Sequence, residues 1–259
     1  MIEIEDHEPG IRVVRFGGEV ASRAFTVESL DRIVEVVSSA LREEAVRGLV
    51  LIGTGRFFLA GADVRAFQDG LEQGTVVSMI HELTGRLHPL ELEMRRSSTV
   101  CIAAINGAAA GGGLGIALAC DGRVASPGAR LAASYARLGL SPDGGSTWLL
   151  PRLVGEQVAR RFFFENEVWN AEQALDLGAI DDLVLEEDLL EAALEMARRW
   201  SRWSAHFREA TKHLLDVQST QDLEQQLDHE RLLIKAAGTT AGFIEGVDAF
   251  LSKRDPSVL

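Results

Sequence analysis

The sequence predicts an α/β fold in which buried strands alternate with helices and a helical region closes the chain. Three patterns carry that prediction. The first is a pair of short apolar runs, Gly48-Leu49-Val50-Leu51-Ile52-Gly53 and Val100 to Ile105. Runs of this length without polar alternation are the mark of strands covered on both faces. The second is the set Leu30, Ile33, Val34, Val37 and Leu41, which share one face of a helix. It follows the β-branched stretch Ile11 to Phe16 and precedes the first apolar run. Strand, helix and buried strand in that order predict a right-handed βαβ unit. The third is the change after Leu189, where the chain becomes more charged and Ala192, Met196 and Trp200 recur at helical intervals.

The remaining elements follow in order. Val100 to Ile105 leads through Asn106-Gly107 into small residues, then into a helical stretch from Leu114 to Cys120 and a short strand from Gly122 to Ala125. Asn170 with Gln173 three positions later is the signature of a helix start, and Gly178 of its stop. A soft boundary near Ser201 divides the chain into a core of residues 1–200 and a helical region of residues 201–259.

The chain has 259 residues, of which 46% are hydrophobic, enough for one large domain with a substantial core. A formal net charge of −13 argues against non-specific binding of nucleic acid, which needs a basic surface. Cys101 and Cys120 sit in apolar runs and read as reduced core thiols. The acidic start, Met1-Ile2-Glu3-Ile4-Glu5-Asp6, lacks the pattern of a signal peptide. No apolar stretch is long enough to span a bilayer. No His-Glu-x-x-His motif or cysteine cluster points to a metal. A soluble cytoplasmic protein without a membrane partner is expected.

Gly111-Gly112-Gly113 lies between a buried strand and a helix. Free N–H groups at a helix start suit an anion, and glycine lets a ligand approach the backbone. The same residues would also permit tight helix–strand packing, and by themselves they do not separate the two. No Gly-Lys-Ser/Thr follows, which excludes a P-loop. A second junction, Gly55 to Val64, follows the other buried strand, so two loops could each offer an N–H to one oxygen.

At these segments the chain resembles the enoyl-CoA hydratase/isomerase (crotonase) family. The likeness is carried by Gly55 to Val64, Ala103 to Gly113, Leu138 to Gly145 and Glu245 to Arg254, which span nearly the whole chain in the expected order. The resemblance implies a crotonase-type spiral of ββα units, with the C-terminal helical region serving oligomerisation into a homotrimer or homohexamer. It implies an acyl-CoA substrate, with no separate cofactor because coenzyme A belongs to the substrate. It assigns the Ala62 and Gly112 N–H groups to an oxyanion hole. It places Arg56, Ala60 and Arg65 near coenzyme A, along with Phe250 and Lys253.

The resemblance leaves the reaction open. Where the hydratases carry two glutamates, this chain has Gly115 and Tyr135, so a two-glutamate hydratase is not expected. Asp143 instead stands before a helix starting near Ser146. Its surroundings, Leu140 to Leu153, look most like 1,2-epoxyphenylacetyl-CoA isomerases, which implies an aspartate moving a proton beside the thioester. An N-cap role for Asp143 is the plain alternative. His88 matches the water-activating histidine of 4-chlorobenzoyl-CoA dehalogenase, in which an aspartate at the position of Asp143 is the nucleophile. Tyr135 is expected beside the acyl pocket and Trp148 in the core. An isomerase is the leading expectation. Its rivals are a hydrolytic aryl- or alkenyl-CoA enzyme and a non-catalytic binder of acyl thioesters, which could be carried on CoA or on a carrier protein.

Overall fold

The computed structural model describes residues 2–7, 10–18, 20 and 25–257. Two sheets organise it. The larger has six strands in the order β1 (Ile2–His7), β2 (Ile11–Phe16), β3 (Gly48–Ile52), β5 (Val100–Ile105), β7 (Gly122–Ala125) and β10 (Asp182–Leu183). All neighbours are parallel except the β1–β2 pair. The smaller has β4 (Phe57–Leu59), β6 (Ala108–Ala110), β8 (Arg130–Ala132) and β9 (Val168–Asn170), with only β8–β9 antiparallel. Strands β3, β5 and β7 each run on into β4, β6 and β8. Each turn of the chain therefore adds one strand to each sheet before a helix returns it, which is a spiral of ββα units.

The central strands explain their own sequence. Leu49, Leu51, Cys101, Ala103 and Ile105 enter one buried cluster, while Val50, Ile52, Val100, Ile102 and Ala104 enter another. Residues alternate faces along a strand. A strand covered on both sides therefore shows no polar position. The first cluster is covered by α1 (Val27–Arg42) and by α3 (Val76–Arg96), which follows the short α2 (Val64–Gln73). The second is closed by Leu189, Ala193, Leu194, Met196 and Ala197 of α8 (Leu189–Ser201). The expected helix after the glycine run is α4 (Gly112–Ala119). Then come α5 (Ser146–Val154), α6 (Glu156–Phe164) and α7 (Ala171–Asp176). Helix α7 has the expected Asn170–Gln173 capping box, with Gly178 just beyond it at φ 78°.

Beyond Ser201 the chain forms α9 (Ala205–Val217), α10 (Leu223–Ala237) and α11 (Ala241–Leu251). A charged knot ties α9 to the core. The Lys212 ammonium, 8% exposed, donates to the Met94 and Thr99 carbonyls at 2.8 and 3.0 Å and to Asp121 at 2.9 Å. The same Asp121 oxygen accepts from the Cys101 N–H at 2.8 Å. Arg95 at the end of α3 pairs with Asp216 of α9. These contacts fix α3, the helix that carries His88, against the sheet.

Candidate functional site

The wall of the site is made where the ends of β4 and β6 meet. Asn106 latches the loop after β3: its amide donates to the Gly55 and Phe57 carbonyls, each at 3.1 Å, and its oxygen accepts from the Gly53 N–H at 2.9 Å. Further along, Gly61 adopts φ 78°, and a side chain there would lie 2.6 Å from the Ala110 carbonyl and 3.4 Å from the Gly112 nitrogen. Glycine is therefore required both by its backbone angle and by the close approach of two chains. That approach sets Ala62 beside Gly112. Gly112 opens α4, where an N–H has no intrahelical acceptor. Among the described residues neither the Ala62 nor the Gly112 N–H has a hydrogen-bond acceptor. Both residues line one cavity of about 260 Å³.

That cavity is apolar over most of its wall, with Phe25, Phe67, Leu83, Leu87 and Leu140 among its residues. Ala60, Tyr135 and Asp143 line it too. Tyr135 therefore shares a cavity with Ala62, Gly112 and Asp143. Its hydroxyl donates to the Asp143 carbonyl at 3.2 Å, and burial, then the Asp143 charge, pushes its ionisation above the usual phenol range. Asp143 does not cap α5. The N-cap is Gly145 and no side chain bonds to the helix start. Two consecutive left-handed glycines, Gly144 and Gly145, carry the chain from Asp143 into the helix, and Asp143 meets the helix start through its carbonyl, which accepts from the Ser146 N–H and hydroxyl. The carboxylate is left free of any capping role.

His88 comes from α3, with Nε2 3.8 Å from an Asp143 carboxylate oxygen, beyond hydrogen-bond range but close enough to interact. Both residues also line a second, more open cavity of about 1180 Å³ between α3, α5 and α9. Trp148 corrects the expectation of a core residue: it faces this second cavity, half-exposed, with the Arg152 guanidinium 3.3 Å above its ring. It sits in the first turn of α5 on the side turned to the cavity, where Arg152, one turn later, covers its ring in place of a second layer of core.

One site residue escaped the sequence reading. Glu91, one turn after His88, is 6% exposed, and burial, then the nearby Asp143 charge, pushes its carboxyl up to about 8. It lines the second cavity with Asp143. The signal was its phase: it shares the face of α3 that buries Leu83, Leu87 and Met94. Other expected residues are not gathered here. Arg56 and Arg65 are exposed, just before β4 and at the start of α2, and neither lines either of these two cavities. Phe250 (82% exposed) and Lys253 lie on and just after α11, away from both cavities in a single chain.

A family model described as enoyl-CoA hydratase/isomerase matches residues 6–258. The chain belongs to the enoyl-CoA hydratase/isomerase family. It is an acyl-CoA-processing enzyme family of crotonase fold, and the relatives show how widely its chemistry ranges. The chain is 31% identical to the 1,2-epoxyphenylacetyl-CoA isomerase of Escherichia coli over 96% of its own length and 95% of the relative's. It is 27% identical to 4-chlorobenzoyl coenzyme A dehalogenase-2 of an Arthrobacter species, over 96% and 90%. Among solved structures, an enoyl-CoA hydratase from Polaromonas superposes with a TM-score of 0.89 at 30% identity, covering 99% of this chain and 98% of that one. Isomerase, dehalogenase and hydratase all appear, so membership alone does not decide the reaction.

Proposed function

We propose that this enzyme is an acyl-CoA isomerase in which Asp143 moves a proton between carbons near the thioester. The observation that carries the reading is that Asp143 is the one carboxylate lining the cavity that also holds Ala62 and Gly112 among the described residues. For a 3-enoyl thioester, the Asp143 carboxylate takes a proton from C2. The electrons pass into the thioester carbonyl, whose oxygen is stabilised by the Ala62 and Gly112 N–H groups. The proton then returns from Asp143 to C4, the double bond settles between C2 and C3, and the carboxylate is regenerated. Gly115 supplies no second carboxylate at the hydratase position, which favours internal proton transfer over addition of water. The test is D143N assayed with 3-hexenoyl-CoA. Turnover should fall by about 10²- to 10⁴-fold, the usual share of a positioned acid–base group, with thioester binding retained. Undiminished turnover overturns the reading.

A second reading rests on the His88–Asp143 approach of 3.8 Å. There Asp143 attacks an activated aryl or alkenyl carbon, the leaving group departs with its electron pair, and His88 deprotonates the water that hydrolyses the ester. Oxygen-18 from solvent appearing in Asp143 after turnover, with loss of that activity in H88Q, supports it; full activity of H88Q counts against it. Absence of turnover with every thioester, despite binding, would point to a non-catalytic binder.

The rest of the assignment is carried over from the family. Arg56, Ala60 and Arg65 are proposed to meet coenzyme A, with Phe250 and Lys253 reaching it once chains assemble. Residues 201–259 are proposed to form the oligomerisation region of a cytoplasmic homotrimer or homohexamer. Leu227, Leu232, Ile234, Phe243 and Ile244 are exposed on α10 and α11, which supports a covered face. A monomer in sedimentation velocity would overturn this. Among the described residues no helix is long and apolar enough to cross a membrane.

A further inference from the structure

Glu91 enters the site from α3 at the point where α4 has no side chain. A Cβ placed on Gly115 would lie 2.6 Å from Glu91 Oε1 and 2.3 Å from the Gly144 carbonyl oxygen. A Cβ placed on Gly144 would lie 3.1 Å from the same Oε1 and 3.5 Å from the Cα of Gly112. The carboxyl of Glu91 thus occupies a notch walled by Gly115 and by Gly144, the residue after Asp143. Gly115 and Glu91 are complementary: the one is absent in side chain where the other arrives. Oε1 is shielded from solvent and has no hydrogen-bond partner among the described residues. A buried polar atom without a partner is costly, and an isosteric apolar residue such as methionine would fill the notch without that cost.

We propose that Glu91 is a positioning residue for Asp143: its carboxyl, seated in the notch between Gly115 and Gly144, stays neutral behind the Asp143-Gly144 turn while Asp143 acts as the base. This rests on the reading of Asp143 as the proton-moving group. The upward displacement of Glu91, caused by burial and then by Asp143, has the direction the proposal needs. A carboxyl covered this deeply and acted on by a second acidic group, Asp143, keeps its proton. When Glu91 does ionise, its negative charge acts on Asp143 and opposes the further negative charge of an oxyanion.

The other groups facing Glu91 do not supply that effect. On its own helix, His88 lies one turn before it and Arg95 one turn after, the latter engaged by Asp216 and Asp121. From α9, His206, Glu209, His213 and Asp216 line the second cavity with Glu91, and none of them contributes to its displacement. The Tyr135 hydroxyl is committed to the Asp143 carbonyl. Helix α4 contributes only glycine at this point, and α5 contributes Trp148 and Leu149.

The experiment compares wild type with E91Q, which keeps the shape of the side chain and removes its titration. With 3-hexenoyl-CoA, wild-type kcat should fall on the alkaline side with a midpoint near 8. In E91Q that limb should vanish, with kcat lowered by on the order of 10-fold and KM little changed. An unchanged alkaline limb in E91Q overturns the proposal. A second measurement needs no turnover and separates this proposal from the isomerase reading. Carbon-13 NMR of protein labelled at the glutamate carboxyl, with E91Q assigning the signal, follows Glu91 directly. A midpoint near 8 that moves down in D143N supports the proposal even if 3-hexenoyl-CoA is not turned over. A midpoint in the ordinary carboxylate range, or one that D143N leaves in place, overturns it even if D143N abolishes isomerisation.

Discussion

Glu91 should leave a mark on folding that does not depend on any substrate. Its carboxyl ionises near 4.5 when unfolded and near 8 when folded. Between those values the folded state holds a proton that the unfolded state has released. Stability therefore falls as pH rises through this window; the penalty is absent below about 4.5 and complete above about 8. At about 1.4 kcal/mol per unit, the displacement corresponds to about 5 kcal/mol at the alkaline end. Glu91 is almost wholly covered, so solvent does little to screen the effect. The perturbation is again E91Q, and the assay is urea unfolding followed by tryptophan fluorescence at fixed protein concentration from pH 5 to 8.5. Fixed concentration matters because assembly would add its own stabilisation. The wild type should lose stability relative to E91Q by about 1.4 kcal/mol for each pH unit from 5 towards 8. Wild-type and E91Q curves that run parallel across this range refute the reasoning, because they would mean that Glu91 ionises alike in the folded and unfolded chain.

Two further substitutions test how the site is held. G61A forces a side chain against the Ala110 carbonyl at a left-handed backbone position; it should separate Ala62 from Gly112 and lower kcat/KM for 3-hexenoyl-CoA by about 10²-fold, the usual loss of one oxyanion donor. D121N removes the charge that faces buried Lys212; it should cost about 3 kcal/mol in urea unfolding, because the ammonium is left without its counter-ion.

The fold was legible because its central strands are covered on both faces. β3 and β5 have no polar position to interrupt them, and α1 carries a full apolar stripe opposite a polar one. The second sheet was not legible. Its β4, β6, β8 and β9 are three residues each, and β6 is Ala108-Ala109-Ala110, which has no alternation to read. Strands this short are held by parallel neighbours brought together by the spiral, a tertiary cause that local sequence does not carry. β1 was passed over for another reason: Ile2 and Ile4 alternate with Glu3 and Glu5, but the acidic residues dominate, and the strand lies at a sheet edge with most of its residues exposed.

The site divides along the same physical line. Gly61, Gly111 and the Asp143-Gly144-Gly145 turn were conspicuous because unusual backbone demands unusual residues. Glu91 was hidden for the opposite reason. A glutamate in a charged helix reads as a solvated face, and α3 also contains Pro89, which blurs its helical period. What distinguishes Glu91 is a relation between two distant positions. Gly115, taken alone, reads as the loss of a hydratase carboxylate; Glu91, taken alone, reads as a surface charge. Only the packing of α3 against α4 puts the carboxyl of one into the space vacated by the other. The absence of a glutamate at position 115 therefore leaves Asp143 the one carboxylate on the cavity of Ala62 and Gly112 among the described residues, but a second carboxyl stands behind the Asp143-Gly144 turn. It changes the direction from which the second one arrives, and places it in a drier setting where it holds a proton at neutral pH.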